Sequence, residues 1–424
     1  MSGHATGGPA APGAAIGATT AFGLGRLPHI AFGAGSIAGA PAIVARHGRR
    51  VLLVTGQGSF ARSGRLAALE SGLADADVVV VGRVAVSSEP GPDDIDAAVA
   101  AWAEADVQVV VGAGGGSAID SAKAIAGLLR TGDSVRVHLE GFPDQRPYRG
   151  PAVPVVAIPT TAGTGSEATR NAVISARGQD GFKRSFRDEQ LVPADAIVDP
   201  DLLDGLPPSG IAFNGLDALT QLLEAYVSQK ATPVTDALAL DGLAAIGEGL
   251  VAWYRDPGGP SAAAARAQTA YGALLSGICL ANAGLGAVHG LAAPLGGLLP
   301  IPHGAACGAV LWQVTDATIR AMSDREPGHP TLARYAMLGR VLGRLPETTP
   351  DAEARETLVQ VLRETVAAVG ARGLGAFGLD ARGIPTVVAG SRGSSMRTHP
   401  IMLSDAELTR ILTASLDAAG SGRS

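Results

Sequence analysis

Val107-Gln108-Val109-Val110-Val111-Gly112-Ala113-Gly114-Gly115-Gly116-Ser117 is the stretch that decides the fold. The β-branched run Val107–Val111 reads as a buried strand, and the glycines after it turn the chain into a helix expected over Ser117–Arg130. Outward from it the same alternation repeats. Val51–Thr55 reads as a strand followed by a helix around Ala61–Gly72, and Val78–Gly82 as a strand followed by a helix from Pro92 to Ala105. Val155–Pro159 and Ala196–Asp199 are further buried strands. Short apolar runs separated by helices imply a parallel sheet covered on both faces. After Leu206-Pro207-Pro208 the period becomes helical, and Val234–Trp253 and Ala262–Leu280 are long enough for several turns. The expected organisation is an α/β domain over 21–206 and an all-α domain over 207–424. Residues 1–20 are Gly, Ala and Pro with almost no charge and are expected to be a disordered extension.

A chain of 424 residues exceeds one compact core, in keeping with two domains. Aromatics supply only 4%, so Ala, Val, Leu and Ile must build the interior. Only Lys123, Lys183 and Lys230 are lysines, a bias that points to a GC-rich genome rather than to a function. A net charge of −6 without a long basic run argues against nucleic acid as a partner. No run reaches the ~18 apolar residues of a membrane span. Two cysteines, Cys279 and Cys307, cannot staple a chain of this size, so a reducing cytoplasm is the expected location.

Three patterns carry chemistry. Gly112 to Ser117 lie between a strand and a helix N-terminus, where backbone can approach a pyrophosphate. The alternative is a purely structural turn, since Ser117 occupies the third position of a G-x-G-x-x-G reading. Pro159-Thr160-Thr161-Ala162-Gly163-Thr164-Gly165-Ser166-Glu167 also follows a strand and concentrates four hydroxyls at the sheet edge where ligands bind. A hydroxyl-rich capping turn is its plainer reading. Asp217 and Gln221, four apart on one helix face, together with His289 and His303 beside glycines, offer four donors to a divalent metal. Local pairing of these side chains in a core is the alternative. Arg170, Lys183, Arg184 and Arg187 read as a solvated hairpin face, with an anionic-substrate site as the second option.

Gly114 to Lys123, Ile158 to Glu167, Asp217-Ala218-Leu219-Thr220, Asn282 to Gly290 and Pro302-His303-Gly304 together resemble the iron-containing (group III) alcohol dehydrogenase family, in order and spacing, from about Phe22 to Leu416. The resemblance implies a dehydroquinate synthase-like fold, with a dinucleotide-binding domain followed by a helical domain. It implies an NAD(P)-dependent oxidoreductase acting on a small alcohol or aldehyde, and a homodimer or larger homo-oligomer. Gly114, Gly115, Gly116 and Ser117 would hold the pyrophosphate, with Asp120, Thr160, Thr161, Thr164 and Ser166 beside the cofactor. A divalent metal, iron or zinc, would bind Asp217, Gln221, His289 and His303 and act as Lewis acid on the substrate oxygen.

Two departures stand out. The family has histidine where this chain has Gln221, a weaker ligand. It also carries a second histidine at the position of Ala293, so no catalytic proton donor is assigned there. NAD-preferring relatives place an aspartate at Gly56; its absence, with Ser59, Arg62 and Arg65 nearby, leans the expectation to NADP. Three rivals stay open, the first of them motivated by Gln221 and Ala293. These are a metal-independent reductase resembling maleylacetate reductase, a non-redox lyase resembling dehydroquinate synthase, and a non-catalytic cofactor-binding protein.

Overall fold

The computed structural model describes residues 21–56, 59–176 and 181–417. The extension expected over residues 1–20 lies outside the described residues. The chain opens with β1 (His29–Phe32), α1 (Ala40–His47), β2 (Arg50–Gly56), α2 (Ser59–Arg62), α3 (Arg65–Asp75), β3 (Val79–Val86) and α4 (Pro92–Trp102). It continues through β4 (Val109–Gly114), α5 (Gly116–Leu128), β5 (Val155–Pro159), β6 (Asn171–Ala176), β7 (Phe182–Arg187) and β8 (Asp195–Val198). From there it is helical: α6 (Pro208–Val227), α7 (Pro233–Arg255), α8 (Ala262–Ala283), α9 (Ala287–Leu298), α10 (His303–Arg325), α11 (Thr331–Gly343), α12 (Asp351–Ala368), α13 (Ile384–Gly390) and α14 (Asp405–Ala414). No single helix among the described residues is long and apolar enough to cross a membrane.

Six strands form one sheet in the order β1-β8-β5-β4-β2-β3, every pairing parallel. Alternation along the central strands explains why it is covered twice. Leu52, Val54 and Val110 face one core cluster, while Val51, Leu53, Val109 and Val111 face the other. Each fully buried Val or Leu contributes roughly 1.5–3 kcal/mol by leaving water. The strand order reverses between β2 and β4, and that switch point is where open α/β sheets bind ligands. Register places Thr55 beside Ala113 and Gly114 beside Pro159, so the glycine turn and the hydroxyl-rich loop emerge side by side.

Several boundaries differ from the sequence expectation. The single helix over Ala61–Gly72 is two, because Gly64 adopts φ +78° between α2 and α3. Gly112–Gly114 continue β4 instead of turning, since a parallel neighbour on each side pairs with them or with the residues beside them. The strand expected to end at Gly82 runs on to Val86 along β2. The helix expected to reach Ala105 ends at Trp102, and that expected to reach Arg130 ends at Leu128. β1 was not expected: it has four residues, and its partner β8 lies far along the chain.

α6 is the axis of the helical half. Ile211, Leu216, Leu219, Leu222 and Leu223 are buried against α7, α8 and α10. The same cluster includes Ala162, Ala168, Val198 and Leu203, so the sheet's last loops are packed into the helical core. Gly165, at φ +59°, marks the closest approach: a Cβ there would stand 2.4 Å from the Cα of Gly277 on α8.

Candidate metal and cofactor cleft

A helix as buried as α6 has no place for unpartnered polar groups, yet it carries Asp217, Gln221 and Glu224, all at most 3% exposed. Their spacing of four and then three residues puts them on one stripe. That stripe meets His289 from α9, and His303 and Cys307, one turn apart, from α10. His289 Nε2 lies 3.3 Å from Asp217 Oδ1, and His303 Nε2 lies 3.8 Å from the same oxygen. Cys307 Sγ is 3.9 Å from Asp217 Oδ1, 3.8 Å from His289 Nε2 and 3.9 Å from His303 Nε2. One donor atom from each residue falls within 4.8 Å of all the others. Donors about 2.0–2.3 Å from one tetrahedral ion stand about 3.3–3.8 Å apart, so the group has the dimensions and the O, N, N, S chemistry of a divalent site.

The charges around it are coupled. Burial pushes the Asp217 carboxyl up, but the hydrogen bond from His289 and the charges of His303 and His289 offset this and hold it below its ordinary value. Burial pulls His289 down, yet the sulfur of Cys307 and the carboxylates of Asp217 and Glu224 bring it well above the ordinary range. Burial and the Lys183 ammonium push His303 down to about 4. Of the donors, His303 keeps the most side-chain exposure, 29% against 3% for Asp217 and 5% for His289.

Two participants escaped the sequence reading. Glu224 Oε2 lies 2.6 Å from His289 Nδ1, and its other oxygen accepts from Val288 N–H at 2.6 Å. That bond leaves Nε2 directed at Asp217, the arrangement that orients ligating histidines. Its position seven residues after Asp217 was the available signal. Cys307 sits four residues after His303, a spacing that was equally readable. Gln221, expected as a ligand, has its Oε1 2.7 Å from Ser276 Oγ on α8, and its nearness to Asp217 helps hold that carboxyl low. Among the His, Cys, Asp and Glu side chains of the described residues, the close group is Asp217, His289, His303 and Cys307. Ala293, one turn beyond His289, is exposed.

Across the cleft the side chains recede and backbone takes over. α5 begins at Gly116 with no side chain capping its N-terminus. Gly115, Gly116, Ser117, Thr161 and Thr164 are partly exposed together. A Cβ on Gly114 would meet the Gly56 nitrogen at 3.1 Å, and one on Gly116 would meet Thr164 at 2.8 Å, so the packing demands these glycines. Thr160 N–H donates to Gly114 O at 2.9 Å and joins the two loops. Asp120 and Ser166, expected beside the cofactor, are buried and bond to each other. Asp120 also accepts from Val173 N–H at 3.1 Å and from Lys123 Nζ at 3.0 Å. The wholly buried Lys123 further donates to Ser166 O at 2.9 Å and to Thr169 Oγ1 at 3.1 Å. Burial pushes its ammonium down while Asp120 and Glu167 raise it.

The basic cluster does form a hairpin, β6–β7, but its charges are paired: Arg170 with Glu189, Lys183 with Glu89, and Arg187 with Glu140. Arg184 donates to Glu140 O and lies over Phe142. His138 and His399, to which the sequence assigned nothing, are buried structural groups. His138 stacks on Phe186, and His399 links Ala287 N–H to Thr318 Oγ1.

Residues 28–200 match the family described as iron-containing alcohol dehydrogenase, and residues 211–416 match the C-terminal part of the Fe-containing alcohol dehydrogenase family. The chain belongs to the iron-containing alcohol dehydrogenase family. Within it, the probable alcohol dehydrogenase EutG of Salmonella typhimurium is 35% identical over 73% of this chain and 72% of its own length. Alcohol dehydrogenase 4 of Saccharomyces cerevisiae is 40% identical over 62% of this chain and 66% of its own. A second yeast form is matched over 57% of its length, so these matches span about two thirds or less of those relatives. Among solved structures, a 1,3-propanediol oxidoreductase superposes with a TM-score of 0.82 at 26% identity, covering 93% of this chain and all of its own. The iron-containing alcohol dehydrogenase from Thermococcus thioreducens gives 0.81 at 25% identity, covering 93% and 99%. The fold is therefore that of the iron-containing alcohol dehydrogenases: a parallel α/β half followed by a helical half.

Proposed function

We propose that this protein is a nicotinamide-dependent oxidoreductase that interconverts a small alcohol and its carbonyl counterpart, with a divalent metal in the cleft. The carrying observation is the convergence of Asp217, His289 and His303, tied to the hydroxyl-rich loop after β5 through Ser276, which bonds Gln221 and approaches Gly163 O. Relatives support it by name: a Bacillus methanolicus methanol dehydrogenase is NAD-dependent, and an Escherichia coli relative is a lactaldehyde reductase. A bound nicotinamide supplies or accepts hydride, and a divalent ion supplies Lewis acidity toward the substrate oxygen.

The chain's residues then divide the work. Gly114 to Ser117 admit the pyrophosphate and present unpaired N–H groups, while Thr160, Thr161 and Thr164 line the approach. Asp120 and Ser166 hold the two loops together from behind. Asp217, His289 and His303 hold the metal, and Glu224 fixes the ring of His289. With alanine at 293 no side chain there carries a proton, so proton exchange at the substrate oxygen passes to water. Gly56 ends β2, and among the described residues other than its chain neighbours nothing lies within 4 Å of where a Cβ would stand, room that accommodates a 2′-phosphate. NADPH is therefore accepted as well as NADH. We place the protein in a reducing cytoplasm, where its two buried thiols remain free. The exposed Phe22, Leu24 and Phe32 beside edge strand β1 support a homo-oligomer.

The test is cofactor turnover with NADH and NADPH over a panel of small aldehydes and ketones, on protein of measured metal content. Net oxidation that falls when metal is chelated supports the reading. Product formed without net cofactor oxidation would replace it with the lyase, and full activity in metal-free protein with the metal-independent reductase. Gly56→Asp should penalise NADPH by roughly 1–3 kcal/mol through like-charge repulsion. A strong NADH preference in the parent removes the 2′-phosphate part alone.

A further inference from the structure

We propose that Cys307 is a metal ligand, so that this chain's site is an aspartate, two histidines and a thiolate, with Gln221 outside it. The inference rests on the reading of the cleft as a metal site and names what completes it. Three observations carry it. Cys307 Sγ lies 3.8–3.9 Å from one donor atom of each of Asp217, His289 and His303, the spacing of a shared tetrahedral vertex. The sulfur is wholly buried, and the polar atoms placed around it are those three donors. Gln221, on the same helix face as Asp217, instead has its oxygen 2.7 Å from Ser276 Oγ on α8.

The fourth donor has thus moved from α6 to α10. It is a soft sulfur in place of a nitrogen, which shifts preference toward zinc relative to a site of oxygen and nitrogen alone. On binding, the Cys307 S–H bond breaks, the proton goes to solvent, and the sulfur lone pair forms the bond to the metal; no electron is gained or lost.

The experiment loads the full chain, stripped with chelator, with cobalt(II) and reads the sulfur-to-cobalt charge-transfer band in the near ultraviolet. We expect the band in the parent, its loss in Cys307→Ser, and its persistence in Gln221→Ala and in Cys279→Ser. Under competition, the zinc-to-iron ratio retained should fall by about tenfold in Cys307→Ser. If Cys307→Ser does not fold, X-ray absorption at the zinc edge of the parent still decides, because a sulfur neighbour at about 2.3 Å is distinct from nitrogen or oxygen at about 2.0–2.2 Å. Cobalt bound without the band, and zinc without a sulfur neighbour, would overturn the assignment of Cys307 while leaving the metal site standing. Failure of the parent to bind cobalt or zinc at all would overturn the site as well.

Discussion

The polar stripe of α6 is linked through Ser276, which bonds Gln221 and approaches Gly163 O at 3.5 Å, to the loop that packs beside the glycine end of β4. On the sheet side the exposed groups are backbone, and side chains are absent or brace from behind, as Asp120 and Lys123 do. On the helical side the converging groups are side chains from three helices. On the proposed reading, the first surface fails when something is added to it and the second when something is taken away.

Four measurements probe that contrast, from the largest effect down. His289→Ala should strip the metal and lower kcat/KM by roughly a thousandfold, since it removes a donor that no neighbour replaces; metal content after dialysis and turnover check it. Retained activity in metal-free protein would erase the helical side's role. Gly115→Val adds a side chain on the sheet side, where a Cβ would stand 3.3 Å from Thr161 Cγ2, so the Thr161 side chain must give by a few tenths of an ångström. The fold should survive while dinucleotide binding weakens by roughly ten- to a hundredfold. Titration beside a thermal melt decides, and unchanged affinity in a folded variant makes the turn merely structural. Glu224→Gln touches no metal directly, yet should cost about tenfold or more in metal affinity by loosening the His289 ring, read from chelator competition.

The smallest effect concerns stability. Burial pushes His399 down to about 4, so between there and its ordinary value near 6.5 the unfolded chain binds a proton that the folded chain does not. Stability should therefore fall as pH drops through that window, by at most about a kcal/mol per pH unit from this residue. His399→Gln should flatten that part of the slope in urea melts of chelated protein.

The same contrast explains what the sequence disclosed. Contiguous features were legible: the strands on either side of Gly114, the hydroxyl-rich loop after Pro159, the change to helical period after Leu206. Asp217, His289 and His303 were singled out both by residue type and spacing and by the resemblance, and the structure brings the three together. Glu224 and Cys307 were marked only by a spacing, seven after Asp217 and four after His303; what selects them is which helix faces which, and spacing carries no such information. The misreading of Gly112–Gly114 as turn has a local cause. Glycine reads as a breaker, and only the parallel neighbours β2 and β5 keep those residues in the ladder. For Asp120 and Ser166, the sequence showed polar groups beside a phosphate loop but not that they would turn toward each other.

The contact between Gly165 and Gly277 reaches beyond packing. Each residue is already the smallest the code offers, and a Cβ on Gly277 would fall 2.2 Å from the Gly165 carbonyl oxygen. Neither position can drift alone, and a change at one cannot be compensated at the other, because there is nothing left there to shrink. The pair thus works as a lock: a side chain at either glycine would pry the sheet's last loops from α8, whereas exposed Ala293 can gain atoms without doing so.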